Sequence, residues 1–438
     1  MRKLNNDQKW VVWNGGLWSA YDSLTAFFLV AFALSLDANN TIIGLIGAIP
    51  FIARVISELP GAKLSEFYNR ISFTVFFATI SRFLWLGIIL APYIFVDHPL
   101  MAIIISYLAI RLVEMIPDPA WTTVLADVVP IKIRGEFFGF RNRIIGIATI
   151  FATVLGGWYL TLWPKESTTG FTTLMGVGVL FGLSSVAACT RVKEPRSKDH
   201  HHHSLKEFFA FKGHFKTFAI SSAIFNFAVM FASPFFDVYM LKNLGLSYFF
   251  WTTAGALAIV TKIISYKYMG RLADKYGDKS VLLLSVGGVA LVPLMYMFIT
   301  PSIIWLIIPV QILSGLMWAG ADITTFTSFL NYTDPKKRAV QTAEFNIIVS
   351  ISMMIGPIVG GLIADKGAFI LTGIPLVFAI ATIMRALAVG LFAQLPEARV
   401  KNKKSLAAIL LQEFILTIHR GYSNKIHTVV KRVDLKEE

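Results

Sequence analysis

The sequence predicts an all-α membrane protein of about twelve transmembrane helices, arranged as two pseudo-symmetric six-helix bundles. Three observations carry that reading. The chain is too apolar for a soluble domain of its length, its apolar segments recur at membrane-spanning length, and its second half repeats its first.

Of the 438 residues, 55% are hydrophobic and 15% are charged, with a mean hydropathy of +0.65. A soluble domain must cover its surface with polar groups and cannot hide that much apolar area. Aromatic residues reach 13%, including 10 Trp and 36 Phe, as expected of lipid-facing and interfacial rings. A net charge of +14 would fit nucleic acid if it formed one patch. The basic residues instead fall in alternate connections and the tail, so no nucleic-acid partner is expected. Cys189 is the only cysteine, which leaves no intrachain disulfide and no thiolate metal cage. Met1 to Lys9 is polar and basic, and the apolar stretch after it is too long for a signal peptide; it reads as a retained first span.

Crossing the hydrocarbon core takes about 20 apolar residues. Expected spans run roughly 10–36, 41–63, 72–96, 100–126, 136–163 and 169–191, then 214–241, 247–270, 279–300, 302–330, 338–364 and 368–395. Several exceed the bilayer thickness, which implies tilt or projecting ends. Pro50, Pro234, Pro293, Pro309, Pro357 and Pro375 lie within spans, where neighbouring helices satisfy the freed backbone. One set of connections carries Lys63, Arg70, Lys132, Arg134, Arg191, Lys193, Arg271, Lys275, Lys279, Lys336 and Lys337, whereas the other holds only Lys165, Lys242 and Lys366. Positive loops stay in the cytoplasm, so the expectation is a multi-pass protein of the cell membrane with both termini cytoplasmic.

These spans divide the chain into an N-terminal bundle (1–192), a cytoplasmic linker with an interfacial helix (193–213), a C-terminal bundle (214–396) and a basic cytoplasmic tail with an amphipathic helix (397–438). The linker holds Pro195 and the run His200–His203, for which compositional bias is the plainer reading and metal binding the sharper one. No other His lies mid-membrane, and no metal site or cofactor is expected. Ser204-Leu205-Lys206-Glu207 has capping-box spacing, and Ser405 precedes an amphipathic run through Leu406, Ile409, Leu410 and Phe414.

The repeat is visible without gaps in places. Ile56-Ser57 matches Ile264-Ser265, and at the same offset Lys63-Leu64-Ser65-Glu66-Phe67-Tyr68 matches Arg271-Leu272-Ala273-Asp274-Lys275-Tyr276. Further on, Arg134-Gly135 pairs with Arg338-Ala339, Asn142 with Asn346 and Gly156-Gly157 with Gly360-Gly361, again at one offset. Parallel repeats imply two bundles related by an axis along the membrane normal, with a substrate site between them.

Gly270-Arg271-Leu272-Ala273-Asp274-Lys275-Tyr276-Gly277-Asp278-Lys279 resembles the cytoplasmic loop signature of the major facilitator superfamily, G-x-L-A-D-R/K-x-G-R/K-K. Its glycines permit a tight turn at a helix end, and its acid is placed to cap a helix or pair with bases that hold a cytoplasmic gate shut. The first-half copy is degenerate: Ala62, Glu66, Phe67 and Asn69 replace the usual residues, while Arg70 remains. Arg111-Leu112-Val113-Glu114 resembles the family's R-x-x-Q motif with Glu for Gln, and Asp127-Val128-Val129-Pro130 with Arg134-Gly135 resembles its fourth-to-fifth connection. The resemblance covers nearly the whole chain except the tail. It implies a secondary transporter that rocks two bundles about a central site, working as a monomer. Antiporters of the family carry G-P-x-x-G-G in the fifth span. Here that string is Gly356 to Gly361 in the eleventh, which counts against drug–proton antiport.

Charges near mid-bilayer cost about 2.5–3.5 kcal/mol by insertion scales, so each implies a protein-lined or watery setting. Asp22 lies mid-way along the first span beside Tyr21, and Arg111 mid-way along the fourth. The family resemblance implies that such a pair couples protonation to gating; a permanent ion pair is the alternative. Glu114, three residues beyond Arg111, is a second proton site or the arginine's structural partner. Asp118 and Asp322 occupy matching positions of the halves and flank a cavity, cap helices or serve a gate. Arg82 binds an anionic group or neutralises one of these acids. Trp121 and Trp318, deep in paired spans, are cavity candidates with Tyr21. Arg54, Glu58, Arg141, Arg143, Lys262, Glu344 and Arg385 are expected nearer the cytoplasmic ends, snorkelling or ion-paired.

Three functional readings follow. The first is proton-coupled movement of a small organic solute; the second is broad-specificity efflux by proton antiport; the third is a sensor or scaffold that keeps the fold without transport. An enzyme is not expected, since no nucleophile–base pair, no H-E-x-x-H and no Walker G-x-x-x-x-G-K-S/T string occurs.

Overall fold

The structure is a computed structural model that describes residues 4–130, 133–165, 167–193, 213–334, 338–367 and 371–397. The helices expected after Ser204 and Ser405, and the run His200–His203, lie outside the described residues. Twelve helices among the described residues are long and apolar enough to cross a membrane. They are α1 (Asn6–Ser35), α2 (Asn40–Leu64), α3 (Arg70–Ile94), α4 (Pro99–Val128), α5 (Arg134–Leu160) and α6 (Thr168–Cys189) in the first half. The second half holds α7 (Gly213–Asn243), α8 (Tyr248–Tyr276), α9 (Asp278–Met297), α10 (Pro301–Tyr332), α11 (Gln341–Lys366) and α12 (Gly373–Ala393).

Local chemistry sets the starts of several helices. Asn5 and Gln8 form a reciprocal capping box at α1, with bonds of 2.7 and 3.1 Å. Asn39 and Asn69 accept from Ile42 N and Ser72 N, both at 2.9 Å, and so cap α2 and α3. Three expected continuous spans are broken. α1 loosens into a 3-10 turn at Ala26–Phe28, preceded by Thr25, whose hydroxyl donates to Tyr21 O. α4 halts at Met115 and resumes at Asp118, because Pro117 has no N–H to continue the ladder. α7 ends in a π-helical turn, Tyr239–Asn243.

Within each half the packing follows one plan: α1 lies on α5 and α6, α3 on α4 and α6, and α2 on α4, and the second half repeats these pairs in order. The halves meet chiefly where α2 packs on α11 and α5 on α8. Small residues bring these backbones together. A Cβ on Gly44 would strike the Pro357 carbonyl, and one on Gly361 the backbone of Asn40 and Thr41. Gly157 similarly faces Tyr248 O and Thr252 of α8. All these contacts lie at the end of the molecule where α1 finishes and α2 begins, the sealed end. Toward the opposite end, Arg54, Glu58, Lys262 and Asp322 keep 33–45% of their side chains exposed. Charges so exposed need water beside them, so a cleft opens at that end.

Candidate functional site

One neutral cluster of charges fills the middle of the first half. Tyr107, Arg111 and Glu114 share a face of α4 through i, i+3 and i, i+4 spacing. Arg111 Nη1 lies 2.7 Å from Glu114 Oε2, and its Nη2 3.1 Å from Asp22 Oδ1 on α1. Arg82 of α3 reaches the same glutamate, Nη1 to Oε1 at 2.8 Å. Its guanidinium lies 4.0 Å from the centre of the Tyr21 ring. Arg111 also donates to the Tyr107 hydroxyl at 3.1 Å. Two cations and two anions are thus buried as a balanced set, the condition under which charges persist in low dielectric.

The members differ in access to water. The side chains of Arg82, Arg111 and Glu114 are 4%, 9% and 10% exposed, while that of Asp22 is 36% exposed. Glu114 is therefore clamped between two guanidiniums, and Asp22 stands at the wet edge with a single ion-pair contact. Arg82 neutralises an acid, one of the two roles expected of it. Tyr21, expected to line a substrate cavity, is instead 1% exposed: its hydroxyl accepts from the Trp85 indole and its ring underlies Arg82. Its hydroxyl and π-face make it a support for the cluster.

Two cavities occupy matching places in the halves. The first, about 290 Å³, is lined by Asn14, Trp18, Arg82, Glu114, Asp118, Trp121 and Arg141 among others. The second, about 430 Å³, is lined by Ser222, Phe225, Asn226, Trp318, Asp322, Phe345 and Asn346 among others. At the repeat offsets Asp118 corresponds to Asp322, Glu114 to Trp318 and Arg141 to Phe345. The first cavity is charged and the second aromatic and amide-lined, so the pseudo-symmetric pair offers chemically different walls. Trp121 lines the first and Trp318 the second. The Nε atoms of Arg82 and Arg141 at the first cavity and the Oγ of Ser222 at the second are buried with no hydrogen-bond partner, leaving unmet polar groups in both cavities.

In the wall of the second cavity, Asp322 meets Lys262 at 2.6 Å and accepts from the Tyr266 hydroxyl at 2.8 Å. Its counterpart Asp118 opens the second segment of α4, within Coulombic reach of Arg54, which itself lies 3.7 Å from Glu58. Arg54 and Lys262 share the repeat offset, so each half presents one base toward the matching aspartate.

The loop signature folds as a helix end and restart. Gly277, at φ +96°, separates α8 from α9, a conformation that only glycine adopts freely. The buried anchor is Asp278, which accepts from Thr327 Oγ1 and Asn331 Nδ2, both at 2.9 Å. Lys279 donates through Nζ to Ala393 O at 2.6 Å and through its backbone to Glu397 at 3.1 Å. Gly270, Arg271, Asp274 and Lys275 occupy the last two turns of α8 before this break. In the first half Arg70 pairs with Asp127 at 3.1 Å, tying α3 to α4 inside one bundle, while Glu66 lies on the exposed turn beyond α2.

One further correction and several omissions follow. Arg385 neither snorkels nor pairs with an acid: it is 3% exposed and donates to the carbonyls of Ala228, Val229 and Val289 inside the second half. Three backbone carbonyls, from one turn each of α7 and α9, replace the solvent expected for it. The Gly356–Gly361 string serves packing, since Gly356 and Gly360 face the α7 backbone and Gly361 faces α2. Sequence reasoning passed over Asp237, a carboxylate inside an apolar span and so detectable by that fact alone. It also passed over Asp365 and Trp85, whose roles depend on partners remote in sequence. Among the described residues no cluster of His, Cys, Asp and Glu could hold a metal ion.

The sequence profile of the Major Facilitator Superfamily matches residues 15–235 and, a second time, 218–422. The chain is 31% identical over 124 residues to the tetracycline resistance protein, class H, of Pasteurella multocida; the match covers 28% of this chain and only 29% of that protein. It is 27% identical over 148 residues to YitZ, an uncharacterised transporter of the same type from Bacillus subtilis (strain 168), covering 34% of this chain and 84% of the relative. Among solved structures, a bacterial homologue of the iron transporter ferroportin in an inward-facing state superposes with a TM-score of 0.71 at 14% identity, over 90% of this chain and 99% of that one. A D-xylose–proton symporter gives 0.70 at 13% identity, over 90% and 98%. The nucleoside transporter NupG gives 0.66 at 14% identity, over 90% and 99%. At such identities these likenesses establish the fold.

Proposed function

The chain belongs to the Major Facilitator Superfamily and is a secondary transporter of small molecules across a membrane, and we propose that it moves a small organic solute by alternating access, driven by protons through Asp22 and Arg111. The observation that carries this reading is the difference in access within the charge cluster. Asp22 touches both water and Arg111, whereas Glu114 is enclosed by two arginines. Adding a proton to Asp22 removes one of the two anions facing Arg111. The contact between α1 and α4 then weakens, and the cluster is left with an extra positive charge. The break at Thr25 supports independent movement of the outer part of α1 when that contact is lost.

The lysine- and arginine-rich connections lie at the open end, which supports a cytoplasm-facing cleft and cytoplasmic termini. The Arg141 guanidinium, whose buried Nε has no partner, in one cavity and the rings of Phe225 and Trp318 in the other support a solute with an anionic group and an apolar part. Both halves come from one chain, which supports action as a monomer. Broad-specificity efflux is the second reading, favoured by the partial identity with a tetracycline resistance protein and by the aromatic lining of the second cavity.

Reconstitution into proteoliposomes, with and without an imposed pH gradient, tests the reading. Solute accumulation that follows the gradient in the parent and loses that dependence in Asp22→Asn supports it. Accumulation with unchanged gradient dependence in Asp22→Asn removes the coupling site.

A further inference from the structure

The sealed end contains a carboxylate with no counter-ion. Asp237 lies on α7 between Pro234, which interrupts the helix ladder, and the π-helical turn Tyr239–Asn243. Its Oδ1 accepts from Trp251 Nε1 of α8 at 2.8 Å. Among the described residues this is the only hydrogen bond to the carboxylate, and no Lys, Arg or His stands within ion-pair distance.

Most titratable and charged groups on the helices around it are engaged elsewhere, and Lys242, five residues on along α7, is exposed and forms no ion pair with it among the described residues. Tyr296 of α9 is directed at Met240 Sδ, and Tyr239 of α7 donates to Ile299 O. Asp365 of α11 is held by Asn40 and Thr41 of α2. Arg385 of α12 is spent on backbone carbonyls, Lys262 of α8 on Asp322, and Asp22 of α1 on Arg111. An anion left without a partner in such a setting takes up a cation from solution. Sodium needs several oxygen ligands, and the one polar partner of the carboxylate among the described residues is an indole N–H. A proton needs one oxygen.

The position matters as much as the chemistry. Trp251 is 1% exposed and belongs to the second half, yet it stacks on Phe27 of α1 with ring centroids 4.9 Å apart and packs edge-on against Phe28. Phe27 and Phe28 form the 3-10 break of α1, five residues beyond Asp22. The indole that bonds Asp237 is therefore the same ring that closes the two halves together.

We propose that Asp237 is a second proton-binding site, distinct from the Asp22 cluster, whose occupancy holds the sealed end shut. In the closed state a proton from water rests on Oδ2 while Oδ1 keeps the indole bond. Return of that proton to water leaves a bare carboxylate among aromatic rings. The carboxylate is only partly covered, and its fuller hydration draws Trp251 away from Phe27, which opens this end. The inference rests on the alternating-access reading but not on which solute is carried or on Asp22 as the coupling residue. The sign is fixed by the chemistry: the end is closed at low pH and opens as pH rises.

The test measures the distance across the sealed end by spin-label spectroscopy in lipid nanodiscs. Labels sit at Leu162→Cys and Asn243→Cys, both exposed and in opposite halves, in a Cys189→Ser background. In the parent the distance distribution shifts to longer values between about pH 5 and about pH 9. Asp237→Asn stays at the short distance throughout, Asp237→Glu keeps the shift, and Asp22→Asn keeps it too. Infrared difference spectra give a second readout, a neutral-acid carbonyl band at low pH that Asp237→Asn abolishes. A parent-like shift in Asp237→Asn, or no such band in the parent, overturns the proposal. Gradient-driven transport alongside either result leaves the coupling at Asp22 standing. A shift that depends on Asp237 without gradient-driven transport retains this site and removes that coupling.

Discussion

The Asp365 carboxylate at the end of α11 caps the first turn of α2 through Thr41, accepting from its backbone N–H at 2.7 Å and from its hydroxyl at 2.6 Å. Asn40 adds its backbone and side-chain N–H groups at 3.1 and 2.8 Å. One residue of the second half thus satisfies the orphan donors of a helix in the first, where the helix dipole favours an anion. The bond crosses the sealed end and is lost when that end opens.

Asp365→Ala is expected to weaken the seal by about 2 kcal/mol, the worth of charge-assisted bonds at a partly exposed helix terminus. That corresponds to roughly a thirtyfold shift toward the open form. A longer distance between spin labels at Leu162→Cys and Asn243→Cys, both exposed at this end, would register it. An unchanged distance would show that the small-residue packing alone closes this end.

Asp22 and Glu114 should separate by phenotype. Asp22→Asn is expected to fold and to catalyse solute exchange at equal concentrations on both sides while failing to concentrate solute. Coupling, and not movement, depends on its charge. The measurement is counterflow beside gradient-driven uptake.

Glu114→Gln leaves Arg82 and Arg111 buried with one anion between them, and breaking a buried pair costs about 3–5 kcal/mol. A markedly lower melting temperature and poor recovery in detergent are expected. The double variant Arg82→Met with Glu114→Gln restores neutrality to the cluster and should recover part of that loss, a non-additivity that a double-mutant cycle reads directly.

Arg141→Gln tests the guanidinium whose buried Nε has no partner. Loss of one charge-assisted contact of about 1.5–3 kcal/mol would raise KM for an anionic solute by about ten- to a hundredfold and leave a neutral analogue little affected. Equal effects on both would assign Arg141 to structure.

Much of the fold was readable from local features. Span lengths, the repeat and the glycine pairs Gly156-Gly157 and Gly360-Gly361 are properties of short segments, and the structure places both pairs against neighbouring helices as pseudo-equivalents. The charge cluster was half readable. Glu114 lies one turn from Arg111, so their pairing follows from helical spacing. Its second partner, Arg82, is on another helix, and the buried role of Tyr21 depends on Trp85 and Arg82 together. Arg385 was misplaced because position along a span indicates depth but not which way the side chain turns.

By itself, then, the sequence determined that this chain lives in a membrane, how often it crosses, and that its halves are copies, because hydrocarbon length and loop charge are read residue by residue. The tertiary structure decided which charges meet and which are left alone. Asp22 and Arg111 stand 89 residues apart in the chain. A helix apolar on nearly every side carries little periodic signal of its rotation, so the face turned inward is settled only when the neighbours pack against it.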